Sequence, residues 1–393
     1  MSMTIGLAGK PNAGKSTFFK AATMADVDIA NYPFTTINAN KGVSYVRSEC
    51  PCLEKEKRCG QCVEGIRYIP IELIDVAGLV PDAHMGRGLG NTFLDELRQA
   101  QAIIHVIDAS GGTDIEGNPV DLGNHDPLDD IDFLNRELTM WMFSILKRSW
   151  TKLARKIQAE GLSLEAIIAD QLAGAGVDEY HVICALTDCK LDKNHIKWED
   201  EDLVILCDMI RTISKPMIIA ANKMDVAPDK YVSGLMDLDQ MVVPTSAAAE
   251  LALRSASKGG AIKYDPGDDD FAITSEELSA AQIKGLENVR SLIQKTGGTG
   301  IQECINKAVF EVLDLIIVYP VEDEAKWTDK NDRMLPDAFL MKKGSTAHDL
   351  AYKVHSDIGD SFLYAVNAKT KMRLGEKHEL ENGDVVKIVS TAK

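Results

Sequence analysis

The sequence predicts an α/β fold: a mostly parallel sheet with helices on both faces, interrupted by a helical insertion and followed by a small β-grasp domain. Three observations carry this. A glycine-rich loop, Gly9-Lys10-Pro11-Asn12-Ala13-Gly14-Lys15-Ser16, stands between an apolar run at Ile5–Ala8 and a helical pattern from Thr17. Two apolar, strand-like runs, Ile103–Ile107 and Met217–Ala221, are separated by far more chain than one crossover helix needs, and that chain has helical periodicity. From Leu315 the texture changes to short apolar runs around one helix.

Strand, glycine loop and helix in this order form the context that a phosphate-binding loop requires. Glycines let backbone N–H groups converge on phosphate oxygens, and the helix N-terminus adds a favourable dipole. Asn12, Ala13, Gly14, Lys15, Ser16 and Thr17 are therefore the candidate phosphate contacts. Lys15 is expected to reach the β- and γ-phosphates, and the Ser16 hydroxyl to ligate Mg²⁺.

Asn31-Tyr32-Pro33-Phe34-Thr35-Thr36 follows without apolar periodicity, at a distance where a mobile segment can bring a threonine to Mg²⁺ and the γ-phosphate. Thr36 is the candidate, with Thr35 its rival. The run Ile69–Ile74 then ends in Asp75-Val76-Ala77-Gly78. A carboxylate at a strand end can hold the Mg²⁺ shell, and a glycine lets its N–H approach the γ-phosphate. Leu79 follows Gly78, and a leucine side chain cannot orient an attacking water as the glutamine at the matching place in Ras-like proteins does. His84 and Arg87 are further candidates to complete the chemistry, but they lie in a glycine-rich stretch that reads as a loop, where surface positions are the default.

Between these segments lie Cys50-Pro51-Cys52 and Cys59-Gly60-Gln61-Cys62, half of the chain's eight cysteines. Two close thiolate pairs can close a tetrahedral Zn²⁺ site and stiffen a hairpin too small for its own core. The polar tip between the pairs is shorter than in most zinc ribbons, so reduced thiols or a reversible disulfide stand as the alternatives.

The bulk numbers fit a globular protein. A chain of 393 residues implies more than one domain, and a net charge of −17 excludes a protein that coats nucleic acid by charge alone. No run of 18 apolar residues is present and Met-Ser-Met-Thr has no signal-peptide pattern, so a cytoplasmic protein with no membrane partner is expected.

In the helical insertion, Asp126-Pro127 is a helix start with Asp as cap and Pro in the first turn. Ile131, Leu134, Leu138, Met142, Ile145 and Ile157 recur near helical spacing and predict one long helix ending at Gly161. Further helices are expected over 164–173, 179–187 and 199–213. Arg148, Lys152 and Lys156, four apart beside Trp150, form a basic strip that is either a solvated face or an RNA contact.

After the run at Met217–Ala221 comes Asn222-Lys223-Met224-Asp225. The Asp225 carboxylate can accept from guanine N1–H and the 2-amino group, donors that adenine does not offer in that arrangement. Asn222 is expected on the other edge of the base and the Lys223 stem over its face. Val242-Val243-Pro244-Thr245-Ser246-Ala247-Ala248 reads as a last strand and a loop whose Ser246 and Ala247 meet the base oxygen.

With these motifs in this order, the chain resembles the Obg-like branch of phosphate-loop GTPases, and within it the archaeal YchF-type members. The likeness rests on Gly9–Thr17, Asn31–Thr36, Asp75-Val76-Ala77-Gly78-Leu79-Val80 and the glycine-rich tail ending Gly88-Leu89-Gly90-Asn91. It implies GTP and GDP as ligands and a translation-related role beside the ribosome, tRNA or rRNA. Related GTPases that lack a catalytic glutamine use an Asn at the position of Asn12 to hold K⁺. The motifs and the resemblance together assign catalysis to Lys15, Thr36, Gly78 and Asn12 and Mg²⁺ to Ser16, Thr36 and Asp75, while the cysteine spacing alone offers Cys50, Cys52, Cys59 and Cys62 to Zn²⁺. Bacterial and eukaryotic YchF-type proteins have a degraded tetrad and prefer ATP, whereas Asn222-Lys223-Met224-Asp225 is intact here.

The domain expectation is a GTPase domain over 1–314, containing a Cys-rich hairpin insert at 45–69 and a helical insertion at 125–214, then residues 315–393. The last segment looks like a TGS domain, a β-grasp module. It carries 12 Lys/Arg against 13 Asp/Glu and is therefore the surface least repulsive to RNA. The functional expectation is a GTP-hydrolysing switch with slow intrinsic turnover; the alternatives are a switch with negligible turnover and an ATP-preferring hydrolase. Oligomeric state is not readable from the sequence.

Overall fold

The computed structural model describes residues 3–23, 40–78, 96–192 and 194–391. Thr35, Thr36, Leu79, His84 and Arg87 lie outside these residues. The chain divides into two compact units, one formed by 1–26, 36–44 and 72–308, the other by 27–35, 45–71 and 309–393.

The first unit holds most of a six-stranded sheet, in the order β2-β3-β1-β4-β5-β6, of which residues 45–49 of β2 and 66–71 of β3 group with the second unit. Its strands are β1 (Thr4–Ala8), β2 (Lys41–Glu49), β3 (Ile66–Asp75), β4 (Ala102–Asp108), β5 (Met217–Asn222) and β6 (Val242–Pro244). From β3 through β6 every neighbouring pair is parallel. Strands β1 and β4 are buried along their whole length, which explains why they read as unbroken apolar runs rather than as alternation. Register aligns the strand ends: Leu7 pairs with Asp75, and Asp108 with Asn222. Helix α1 (Lys15–Thr23) follows the glycine loop directly.

The helical insertion comprises α2 (Pro127–Lys147), α3 (Trp150–Glu160), α4 (Leu164–Leu172), α5 (Glu179–Asp188) and α6 (Asp200–Ser214). Asp126 caps α2 by accepting from Leu128 N at 3.0 Å, as its position before Pro127 predicts. The single long helix expected to run to Gly161 is instead two, broken at Arg148-Ser149. Trp150 does not flank a surface strip. It is buried and stacks on Trp198, the ring centroids 5.4 Å apart, inside a core with Met142, Leu146 and Leu206. Arg148, Lys152 and Arg155 stay exposed. Helices α7 (Asp229–Met236), α8 (Ala247–Lys258), α9 (Ala280–Thr296) and α10 (Ile301–Lys307) complete this unit.

The second unit contains a five-stranded sheet in the order β10-β9-β13-β11-β12. Its members are β9 (Leu315–Val321), β10 (Phe339–Lys342), β11 (Phe362–Asn367), β12 (Arg373–Leu374) and β13 (Asp384–Ser390); the separate pair β7 (Ile262–Lys263) and β8 (Ala272–Ile273) belongs to the first unit. β9 and β13 run parallel in the middle of the five-stranded sheet, and the outer pairs are antiparallel. Leu350 of α11 (Ala347–Val354) joins the sheet's core with Ile316, Val318 and Val386. Thr346 and Asp349 close the capping box that their spacing predicts. This is a β-grasp arrangement. The Cys-rich hairpin groups with this unit by its contacts. Among the described residues no helix is long and apolar enough to cross a membrane.

Candidate functional site

The C-terminal ends of β1, β3, β4, β5 and β6 converge on one edge of the first sheet, and every described nucleotide-site candidate lies there. Open α/β sheets place ligands at this edge because the strands end in loops that helix N-termini follow.

The glycine loop is shaped by close approaches. Gly9 has φ 145°, and a Cβ there would stand 2.2 Å from Val106 O. Gly14, at φ 99°, faces Asn222, whose Nδ2 would lie 2.2 Å from an added Cβ. Both glycines are therefore required, one by β4 beneath and one by the tetrad. Asn12, exposed and at φ 59°, donates its side-chain amide to Gly117 O at 3.0 Å.

Lys15 is buried at the start of α1 and donates to Lys10 O at 3.0 Å. Burial pushes its pKa down, and the charge of Asp75 works against that. Ser16 Oγ donates to Asp75 Oδ2 at 2.9 Å. Asp75 Oδ1 is buried with no hydrogen-bond partner. An orphaned carboxylate oxygen beside a hydroxyl is a hard-oxygen donor set, which suits Mg²⁺. Gly78 lies against the loop, where a Cβ would meet Pro11 at 3.1 Å.

The tetrad divides its labour. Asn222 donates from Nδ2 to Ala13 O at 2.9 Å and accepts on Oδ1 from Ala247 N at 3.0 Å. Its side chain thus ties the phosphate loop to the loop after β6. Lys223, at φ 64°, turns its ammonium onto Asp108 Oδ2 at 2.8 Å, which aligns its stem across the site. Asp225 Oδ1 accepts from Ser246 Oγ at 2.8 Å. Ser246 also caps α8 by accepting from Ala249 N at 3.3 Å. Behind it, buried Glu250 accepts from Thr299 Oγ1 at 2.5 Å and Tyr264 Oη at 2.7 Å and pairs with Arg254, while Thr299 O takes the Ser246 N–H.

Sequence reasoning missed three groups under this edge. Asp108, fully buried, accepts from Ser110 Oγ, Thr113 Oγ1 and Lys223; burial opposes its ionisation, but these bonds outweigh it and hold its pKa low. Its place at the end of β4, before Ser110-Gly111-Gly112-Thr113, was the available signal. Lys10 is 2% exposed, donates to Thr113 O at 2.8 Å and pairs with Asp130 of α2 at 2.9 Å. Asp130 meets His125 Nε2 at 2.7 Å with its other oxygen. His105, on β4, is buried and has its pKa pushed down to about 3, first by burial and then by the charges of Lys15 and Lys10. It is a neutral imidazole beneath a cationic loop.

The four sulfurs of Cys50, Cys52, Cys59 and Cys62 lie within 4.8 Å of one another.

Three family models match the chain: a 50S ribosome-binding GTPase domain over residues 4–135, the G4 motif-containing domain of Obg-like, YGR210-like GTPases over 220–323, and a TGS domain over 332–390. A GTP-binding protein of Methanocaldococcus jannaschii is 53% identical, the alignment covering 99% of both chains. The ribosome-binding ATPase YchF of Bacillus subtilis is 26% identical over 98% of each chain. A crystal structure of a GTP-binding protein from Pyrococcus horikoshii superposes with a TM-score of 0.79 at 43% identity, covering 99% of this chain and all of that one.

Proposed function

The chain belongs to the Obg-like, YchF-type family of GTP-binding proteins, and from that premise we propose that it is a Mg²⁺-dependent GTPase that switches between GTP and GDP states at the ribosome. The observation that carries this reading is the convergence of Lys15, Ser16, Asp75, Asn222 and Asp225 on one sheet edge, with Asp75 Oδ1 left without a partner.

The residues divide the work as follows. Loop amides from Ala13 to Thr17 and the Lys15 ammonium hold the phosphates. Lys15 is kept from wandering by Lys10 O and is poised to gain a stronger, charged partner. Ser16 and Asp75 would hold Mg²⁺, which supplies charge neutralisation at the β- and γ-phosphate oxygens. Asp225, oriented by Ser246, reads guanine, and Lys223 covers the base. Gly78, pressed on Pro11, reports the γ-phosphate to the chain that follows it, with Thr36 its counterpart from the other segment. Water attacks the γ-phosphorus in line. With Leu79 unable to orient that water, intrinsic turnover is slow, and Asn12 with K⁺ or a partner completes the site.

The ribosomal reading draws on the TGS module and on what the Bacillus subtilis relative is called. The near-neutral charge of 315–393, in a chain of −17, favours that module as the RNA-facing surface. A role at the ribosome implies a cytoplasmic site of action.

The test is ribosome co-sedimentation with GDP and with a non-hydrolysable GTP analogue, beside direct binding of GTP and ATP. Nucleotide-dependent co-sedimentation and a clear preference for GTP are expected. Equal affinity for ATP would overturn the base assignment, and co-sedimentation indifferent to nucleotide would overturn the switch.

A further inference from the structure

The hairpin between β2 and β3 has almost no core of its own. Its tip, Leu53–Arg58, is polar and largely exposed, and its turns run through residues with positive φ at Gly60, Glu64 and Gly65. Backbone bonds close its base, with Cys50 N on Gly65 O at 2.8 Å and a Val63–Ile66 turn, and form one short turn where Leu53 N meets Cys50 O and Lys55 N meets Cys52 O, each at 3.0 Å. Such a segment needs another source of order.

Its cysteines supply one. The sulfurs of Cys50 and Cys59 are 3.7 Å apart, those of Cys52 and Cys62 3.5 Å, and those of Cys59 and Cys62 3.5 Å. A tetrahedral Zn²⁺ with Zn–S bonds of about 2.3 Å has sulfurs about 3.8 Å apart along each edge. A disulfide needs about 2.05 Å. The spacing is that of a metal's ligands. Cys50 and Cys52 are buried, Cys59 and Cys62 half-buried, so the four face inward at the hairpin base. The Gln61 N–H points to Cys59 Sγ at 3.3 Å, a donor that favours a thiolate there.

The surroundings also suit a doubly negative tetrathiolate. Arg58 donates to Cys52 O at 3.1 Å, and Arg67 lies 6.0 Å from the centre of the Tyr319 ring. The Tyr319 hydroxyl is buried without a partner and lies within electrostatic reach of Cys50, Cys59 and Cys52. The same hairpin engages the β-grasp module within its own compact unit. Lys55 donates to Ala325 O at 3.2 Å and lies 4.3 Å over the Trp327 ring; Glu54 pairs with Lys369 at 2.6 Å; Arg67 donates to Leu335 O and Pro336 O, both at 3.0 Å.

We propose that Cys50, Cys52, Cys59 and Cys62 hold one structural Zn²⁺ as a closed tetrathiolate, and that this ion fixes the hairpin on the segment 319–336 of the β-grasp unit. With four protein ligands the ion has no open position and takes no part in phosphate chemistry. Binding it releases whatever thiol protons remain to solvent; no electron is transferred. The assignment rests on nothing in the nucleotide site and can fail or hold independently of it.

The experiment starts from full-length protein purified anaerobically without added metal. Elemental analysis should find about one zinc per chain, released as the four hairpin thiols are titrated with a mercurial. Cadmium exchange should produce a thiolate-to-metal charge-transfer band. Cys62→Ser should lose the metal and raise hydrogen exchange over 50–65 and 322–336, while GTP affinity stays within about twofold because none of the four cysteines is among the nucleotide-site residues. If the variant does not fold, the wild-type metal content and the cadmium band still decide. Four titratable thiols without stoichiometric metal, two disulfides by mass, or bound iron would each overturn the proposal.

Discussion

Asn222 donates its side-chain amide to Ala13 O at 2.9 Å while Gly14, the next residue, leaves no room for a Cβ beside that same nitrogen. The tetrad asparagine is therefore a fastener for the phosphate loop, and its second bond, from Ala247 N, extends the hold to the loop after β6. Asn222→Ala leaves both backbone groups unpaired in a buried setting, at about 1–3 kcal/mol each. GTP and GDP affinity should fall together, by at least about tenfold. Their ratio to ATP should stay unchanged in a fluorescence binding assay. A selective loss of guanine discrimination would assign Asn222 to the base instead.

Asp225 should behave in the opposite way. Its carboxylate is aimed by Ser246 Oγ at 2.8 Å, and a site built around such hydrogen bonds rejects the analogue that lacks them by up to about 10⁴. Asp225→Asn should weaken GTP binding and improve xanthosine triphosphate binding, since xanthine presents a carbonyl where guanine has its amino group. Ser246→Ala should cost affinity more mildly, about 1 kcal/mol, by loosening the carboxylate. Isothermal titration with GTP, xanthosine triphosphate and ATP separates these outcomes.

The fold was legible where a local rule demands one residue type. Gly9 and Gly14 are needed by backbone and side chains that approach them, Asp126-Pro127 opens α2, and Thr346 with Asp349 opens α11. The break at Arg148-Ser149 was invisible because Met142, Leu146, Trp150 and Ala154 keep helical phase straight through it and all face one core. The partners of Lys10 were invisible for another reason: Asp130 and Thr113 are remote in the chain, and no spacing rule connects them. Trp150 beside basic residues fits a surface strip as well as a core stack, and only Trp198 decides between them.

The Lys10–Asp130 pair anchors α2 to the phosphate loop, with the two side chains 1% and 2% exposed. Removing one member of a buried pair is strongly destabilising, about 3–5 kcal/mol, because the other charge stays behind. Burial already raises the pKa of Asp130, against the pull of Lys10 and His125. Lys10→Met should therefore lower the denaturation midpoint sharply, whereas Lys10→Met with Asp130→Leu should recover much of the loss. If the double variant is no better than the single one, the pair acts through shape rather than charge.

His105 gives the pH dependence its sign. Its folded pKa of about 3 lies below the ordinary 6.5, so between those values the unfolded chain binds a proton that the folded chain does not. Stability must then fall as the solution is acidified below about pH 6.5, with this residue contributing up to about 1.4 kcal/mol per pH unit, and is fully present above it. The physical cause is burial beneath the phosphate loop, reinforced by Lys15 and Lys10. His105→Gln, similar in size and uncharged at every pH, should flatten the denaturation midpoint between pH 7 and 5 relative to wild type. An unchanged slope would mean that water reaches the imidazole and lets it ionise in the folded state.

Asn12 supplies the last prediction. Its Nδ2 is committed to Gly117 O at 3.0 Å, which fixes the side chain over the loop and leaves its carbonyl oxygen as the group able to meet a monovalent cation. If that oxygen helps hold K⁺ beside the transferring phosphate, the ion adds positive charge where Leu79 offers none. Single-turnover GTP hydrolysis should then run faster in K⁺ than in Na⁺ at equal ionic strength. Asn12→Ala should erase the difference while changing GTP affinity little. Gly117→Ala provides the control for position: at φ 88° and with Pro11 O 2.5 Å from the new Cβ, it should displace the Asn12 acceptor and reduce the K⁺ effect without touching the oxygen itself. Equal rates in the two salts would return Asn12 to the role of a turn residue, held at φ 59° for the sake of the loop alone.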